Sequence, residues 1–171
     1  MACNQTLTAI LKDCSPSMGG IVEALFANKE DVQEVTLTED MVSAITMTSG
    51  KKFVKFQFPR NTGSMSSNYT IDQTTGVKFV TTDLVLVFNR MDTQKRVAIK
   101  ALAENDLVGI VKDANGKYWY LGYDEAMTAT AHDGLTGTAR ADRNGYSITL
   151  QDNSHQMPFE VKPDIIDALV A

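Results

Sequence analysis

Short runs of apolar and β-branched residues, separated by turn residues, recur along the chain. Several alternate between apolar and polar positions, which is typical of half-buried β-strands. Residues 53–58 alternate clearly, with Val54, Phe56 and Phe58 on one face, and Pro59 ends the run because proline cannot donate to a sheet. The predicted strands are 21–27, 32–37, 41–48, 53–58, 69–72, 77–89, 126–131, 138–142, 146–150 and 157–161, together with the two arms of a hairpin within 107–122.

Two stretches lie at the extremes of this pattern. Residues 77–89 form the longest predicted strand, and 84–88 are apolar throughout, which predicts a central strand covered on both faces. Residues 60–68, RNTGSMSSN, contain Met65 as their single apolar residue. This composition predicts a flexible surface loop, either a plain loop tip or a loop that orders on meeting a partner.

Residues 107–122, LVGIVKDANGKYWYLG, read as a complete β-hairpin. Asn115-Gly116 between strand-forming residues is a strong hairpin signal, since both central residues of a type I′ turn need positive φ. Alternation along the second arm predicts that Trp119, the only tryptophan, is buried, and that Tyr118 and Tyr120 point outward. A second Asn-Gly pair, at 144–145, predicts another hairpin between 138–142 and 146–150.

Two segments have helical features. Residues 94–104 place apolar side chains on one face, with Asp92 available as the N-cap, and 164–170 follow Pro163. The predicted fold is therefore mainly β: a β-sandwich or barrel of short antiparallel strands with one flanking mid-chain helix and a short C-terminal helix. We expect residues 1–18 to form an N-terminal arm and 19–171 to form a single β-rich domain.

The composition is that of one globular domain: 171 residues, 43% hydrophobic and 22% charged, with a net charge of −5. The negative charge argues against nucleic-acid binding through a general basic face, but suits a passage through which DNA slides without sticking. No apolar run reaches membrane-spanning length and no export signal is evident. We therefore expect Cys3 and Cys14 to be reduced thiols, with a disulfide as the alternative.

Candidate chemistry is sparse. The sequence indicates no nucleophile and acid that would converge on His132 or His155. A hydrolase triad needs a nucleophile, a base and an acid close together in space. Asp113 begins a run that looks like a calcium loop, but Tyr118 and Asp124 occupy the positions where an EF-hand has Gly and Glu. The sequence therefore predicts no enzymatic activity, no metal site and no cofactor, and favours a structural or binding role.

Five short stretches together resemble the tail-tube class of phage virion proteins, in the form found in phages and prophages of gut bacteria of the Bacteroides group. They are GGI at 19–21, FNRM at 88–91, KR at 95–96, DANGKYWYLG at 113–122 and DRNGYSITLQD at 142–152. The resemblance implies a small β-sandwich or barrel with a flanking helix. It also implies rings, usually hexameric, that stack into a hollow tube with an acidic lumen for DNA.

The same resemblance implies a location in the virion, with assembly in the host cytoplasm, and contacts with other tail proteins but not with membranes. Ring closure would join sheets edge to edge, with 53–58 and 77–88 as candidates for the inner wall. The arm 1–18 and the loop 60–68 are candidates for contacts between stacked rings. The individual self-assembly candidates are Arg60, Asn61, Met65, Tyr118 and Tyr120, and the lumen candidates are Glu39, Asp40, Asp72 and Asp83.

Two other functions stay open at this point. One is a different virion module, such as a capsid-decorating or tail-completion protein. The other is a small-ligand or carbohydrate-binding β-domain.

Overall fold

The computed structural model describes residues 6–171, and it is mainly β, with 49% of residues in strands and 13% helical. This confirms the predicted fold class of two β-layers with one mid-chain helix and a short C-terminal helix. The strands are β1 Ile21–Asn28, β2 Val32–Thr38, β3 Met41–Met47, β4 Val54–Phe56, β5 Ser64–Ile71, β6 Lys78–Asn89, β7 Leu107–Asp113, β8 Tyr118–Leu121, β9 Thr128–Leu135, β10 Gly145–Ser154 and β11 Phe159–Val161. The helices are α1 Thr93–Glu104 and α2 Ile166–Leu169.

The strands form two sheets. The seven-stranded sheet has the order β2-β3-β11-β8-β7-β1-β4, and the four-stranded sheet has the order β5-β6-β10-β9. Every strand pair is antiparallel except β11 with β3. Residues 6–18 precede β1 without any helix or strand and are exposed.

The β7–β8 hairpin forms as predicted, but its turn is of a different type. Only Gly116 has positive φ, at 86°, and its N–H donates to the Asp113 carbonyl 3.1 Å away. The loop therefore has three residues, with a left-handed glycine at its end, which is the next most common hairpin connection after the two-residue loops. The Asp113 carboxylate completes it by accepting the backbone N–H groups of Asn115 and Lys117, both at 2.9 Å.

The β2–β3 hairpin contains the two-residue turn. Glu39 and Asp40 both have positive φ, 53° and 59°, and Thr38 pairs with Met41. This is the backbone of a type I′ turn, which usually carries Asn or Gly because other residues are strained there.

Three predicted segments are wrong. Residues 64–68 are part of β5 rather than a loop, 138–142 are not a strand, and β10 runs on to Ser154 through residues predicted as loop. The predicted hairpin at 144–145 is therefore absent, and β10 pairs with β6 and β9 instead.

The same physical cause explains why β5 and the end of β10 were not predicted as strands. Each has one face exposed to solvent, which carries hydroxyl and amide side chains, and the inward side chains that alternate with them are in part polar as well. Ser67, for example, points inward and shares a 2.8 Å hydrogen bond with Thr82, which is 1% exposed.

The hydrophobic core has two parts, one on each face of the seven-stranded sheet. The first lies between the sheets, and α1, capped by Asp92 through the Lys95 N–H at 2.8 Å, adds Ile99 and Leu102 to it. The second lies on the opposite face, where α2 adds Ile166 and Leu169. The seven-stranded sheet is thus covered on both faces.

The four-stranded sheet is covered on one face only. In β6, alternate residues from Val80 to Phe88 are buried, while Val85 and Val87 on the other face are half-buried. The expectation that β6 is covered on both faces is therefore wrong, although it is the longest strand of the described residues.

Candidate functional site

The outward face of the four-stranded sheet is a broad polar surface. Cross-strand pairing aligns its outward side chains in rows, so that Ser66, Asp83 and Gln151 lie side by side. Most outward positions carry a hydroxyl, amide or carboxylate: Ser64, Ser66, Asn68, Thr70, Thr81, Asp83, Thr128, Asp133, Ser147, Thr149, Gln151 and Asn153. Within these described strands, no outward position carries Lys or Arg.

Hydrogen bonds between strands fix several of these side chains. The Gln151 amide donates to the Asp83 carboxylate at 2.9 Å, and the Thr81 hydroxyl donates to the Asn153 side-chain oxygen at 3.1 Å. The Ser147 hydroxyl donates to Asp133, and this bond holds the pKa of the Asp133 carboxyl below its usual range. The face is thus a preorganised polar surface, on which Asp133 is paired with the Arg143 guanidinium at 3.4 Å and Asp83 has no Lys or Arg partner among the described residues.

Both edges of this sheet are open. β5 and β9 are each eight residues long and contain no proline. β5 contains no charged residue and no register shift, whereas β9 carries Asp133 and has one extra residue, Thr130, at a register shift against β10. Among the described residues, neither strand pairs with anything on its outer side. Long edge strands that lack charges, prolines or bulges are templates for pairing with another chain.

The seven-stranded sheet has protected edges. Two register shifts interrupt the pairing of β2 with β3, between Val32 and Glu34 and between Thr36 and Leu37. At the other edge β4 has only three residues, and the preceding Phe53 is bonded on its outer side by Leu169 and Ala171. Bulges and short strands discourage edge pairing, so β5, which is long, uncharged and without a bulge, is the least protected edge strand and favours the four-stranded sheet as a joining surface.

The four acidic lumen candidates are not brought together. Asp83 alone lies on the outward face of the four-stranded sheet. Asp72 lies in the turn between β5 and β6, where its carboxylate accepts the N–H groups of Thr74 and Thr75 and its pKa is lowered by the hydrogen bonds from these threonines. Glu39 and Asp40 form the β2–β3 turn of the other sheet.

The self-assembly candidates are also dispersed. Arg60 and Asn61 are exposed in the turn before β5, whereas Met65 points inward and packs against the core between the sheets. Tyr118 is half-buried, with the Lys112 ammonium 5.2 Å from the centre of its ring. The prediction that Tyr120 points outward is wrong: it is 1% exposed.

Coverage of both faces of the seven-stranded sheet explains the error at Tyr120. Trp119 faces the core between the sheets and is half-buried, with its indole N–H donating to Asp113 at 3.2 Å. Tyr120 faces the second core. Period-two alternation separates these two residues correctly but does not indicate that the second face is also covered.

Sequence reasoning missed a buried polar cluster that joins the two sheets at Gly122. The Lys29 ammonium donates to the carbonyls of Gly122 and Tyr123 at 2.5 and 2.8 Å, while the Gly122 N–H donates to the Asp152 carboxylate at 2.9 Å. Asp152 is 3% exposed, and this burial raises the pKa of its carboxyl. In the sequence, Lys29 lies in an apparent polar turn and Asp152 in an apparent polar loop. Only the fold, which brings both side chains to Gly122, reveals the cluster.

One cluster contains the residue types of a hydrolase triad in a different order. The Asp124 carboxylate accepts the Ser154 hydroxyl at 2.8 Å and contacts the His155 ring at 3.0 Å. The serine therefore bonds the acid rather than the imidazole, whereas a triad needs the base on the nucleophile. The hydrogen bonds of this cluster hold the loops that contain Asp124 and His155 together.

Residues 6–171 contain no group of three or more His, Cys, Asp or Glu side chains arranged to hold a metal ion. Cys14 is exposed and free, and Cys3 lies outside the described residues. No helix in the described part is long and apolar enough to cross a membrane.

Comparisons with family models, curated proteins and solved structures found no match.

Proposed function

We propose that this chain is a non-enzymatic virion subunit that assembles into rings around a DNA-conducting lumen, as in a phage tail tube. The observation that carries the proposal is the four-stranded sheet, which combines two unpaired edge strands with outward strand positions that carry no Lys or Arg among the described residues. The sequence resemblance to tail-tube proteins supports the same function.

The open edges account for ring formation. Pairing β5 of one copy with β9 of the next continues the sheet from copy to copy, and a closed barrel abolishes its edges. Barrels of about 16 or more strands leave an open channel, and each copy adds four. A ring of about four or more copies therefore encloses a lumen lined by the polar face.

The chemistry of the face suits passage of DNA. Cationic side chains would bind phosphates with the release of counterions and would hold the DNA in place. Hydroxyls and amides carry no charge that would attract the DNA backbone, and Asp83 repels it, whereas the charge of Asp133 is offset by the Arg143 guanidinium 3.4 Å away. The net charge of −5 has the same sign.

Proline substitution in β5 tests the edge pairing. Backbone N–H groups alternate between the two sides of a strand, so Ser66→Pro and Ser67→Pro together sample both sides. In one variant the proline removes a hydrogen bond to β6. In the other it removes only an N–H group at the unpaired edge, so the fold is kept. We expect the fold-sparing variant to remain monomeric by multi-angle light scattering at concentrations where the wild type forms rings.

The matched control is Gln33→Pro on β2, the protected edge of the other sheet, which should leave ring formation unchanged. A wild-type protein that stays monomeric at millimolar concentration contradicts the proposal. Binding to capsids without self-association would instead indicate the capsid-decorating alternative.

A further inference from the structure

The described part of the N-terminal arm presents apolar side chains to solvent. Leu7, Ile10 and Leu11 are 97%, 98% and 84% exposed, and residues 6–18 contain no helix or strand. Three nearly fully exposed large aliphatic side chains within five positions leave a large apolar area in contact with water, which is unfavourable relative to burial. The arm therefore has a strong drive to be covered.

The root of the arm is held by a residue far along the chain. The Met18 N–H donates to the Asn115 side-chain oxygen at 2.8 Å, and the Asn115 amide donates back to the Met18 carbonyl at 3.0 Å. Next to this pair, the Ala114 N–H donates to the Gly20 carbonyl at 3.0 Å. The hairpin turn thus clamps the base of the arm and fixes the point from which it leaves the domain.

An apolar groove on the same molecule is open. It lies between α1 and β4, with Phe26, Phe56 and Leu102 on its floor and a volume of about 380 Å³. A neighbouring cavity of about 360 Å³ shares Val54, Phe56 and Ala98 with it, so the two cavities lie next to each other along the helix. Val54 on its wall is 53% exposed.

Charges on the arm and on the groove rim are complementary. Asp31 and Lys51 also line the groove and pair with each other at 3.6 Å, whereas Lys52 has no carboxylate partner among the described residues and donates to the Val170 carbonyl at 3.2 Å. On the described part of the arm, Asp13 has no cationic partner; its carboxylate accepts the Ser15 N–H at 2.8 Å, and this bond lowers its pKa, so it is charged at neutral pH. In an extended segment Leu11 and Asp13 lie on the same face, so seating Leu11 in the groove brings Asp13 to its rim.

We propose that the arm of one copy docks in the α1–β4 groove of a second copy, with Leu7 and Leu11 against the groove and Asp13 paired with Lys52. Because the same side chains are exposed in the free chain, the arm does not occupy its own groove. The inference rests on the self-assembly of the proposed function and adds an interface separate from the sheet edges.

A charge exchange in the full-length protein tests the pairing. Asp13→Lys and Lys52→Asp each replace attraction by repulsion, so each should raise the concentration at half-assembly by roughly fivefold in sedimentation velocity. The double variant should return the concentration to the wild-type value. Lys12→Asp is the matched control: it reverses a charge on the other face of the extended arm and should change the concentration by less than about twofold.

Replacing Leu7 and Leu11 together by Ser tests the apolar part and should raise that concentration at least about 100-fold. The melting temperature of the dilute monomer should not change, because these side chains are already exposed. Wild-type assembly by the variant with Ser at positions 7 and 11, or failure of the double charge exchange to restore assembly, overturns the inference while ring formation by the wild type still stands. A lower monomer melting temperature without an assembly defect also overturns it, since that result indicates docking within one chain.

Discussion

Asp152 is the residue whose environment differs most from its sequence context. It lies in a polar stretch, yet it is 3% exposed and accepts the Gly122 N–H. Its second carboxylate oxygen has no hydrogen-bond partner among the described residues. Burial of a carboxylate without full compensation disfavours the charged form, which is why the pKa of Asp152 is raised.

Asp152→Asn should change how stability depends on pH. With a folded-state pKa above the unfolded value of 3.8, the folded protein binds the proton more tightly than the unfolded chain does. The contribution of Asp152 to stability is therefore greatest below that value and falls as pH rises through the folded pKa. Because Asn keeps the acceptor for Gly122 and does not titrate, the free energy of unfolding of the variant should gain on that of the wild type as pH rises from about 4 to 7.

Asp142→Asn is the control with the opposite sign. Asp142 is exposed, and hydrogen bonds from the Thr138 and Ala139 N–H groups lower its pKa. Its stabilising effect is present above the unfolded pKa and is lost as pH falls. Urea unfolding at a series of pH values separates the two cases, and parallel curves for wild type and Asp152→Asn would refute the account of Asp152.

At the scale of elements, the β2–β3 turn is strained by its own sequence. Glu39 and Asp40 hold positive φ without being Asn or Gly. Replacing them by Asn and Gly, the preferred type I′ pair, should raise the free energy of unfolding by about 1 kcal/mol. Chemical denaturation of the double variant measures this, with Ala at both positions as a control that keeps the strain. A loss of stability in the Asn-Gly variant would contradict the turn geometry.

Most elements were predicted from signals in their own sequence. Runs of apolar and β-branched residues located β1, β2 and β6, alternation located β3, and apolar spacing with the cap at Asp92 located α1. The turn at Asn115-Gly116 was located correctly, although its loop length was not, since Asp113 extends the turn by bonding two backbone N–H groups.

The missed strands show where local signals stop. β5 and the end of β10 consist largely of Ser, Thr, Asn and Gln, which are typical of loops when they occur together. They become strands because β6 lies between them and pairs with both. When the neighbouring strand supplies most of the apolar side chains that face the core, the strand itself shows little hydrophobic pattern.

For the whole molecule, sheet order was beyond the sequence, and the candidate site depends on it. The pairs β10–β6 and β11–β3 join segments far apart in the chain, and no periodicity encodes such contacts. Asp83 was correctly placed on a strand, but its position on a one-sided polar sheet follows only from the order β5-β6-β10-β9. The open edges that support the proposed assembly are likewise a property of topology.

The most direct test of the account is a three-dimensional electron microscopy reconstruction of concentrated full-length protein. We predict closed rings in which β5 of each copy pairs with β9 of the next and the face bearing Asp83 and Gln151 lines the lumen. A protein that remains monomeric, or rings in which that face points to the outside, would contradict it.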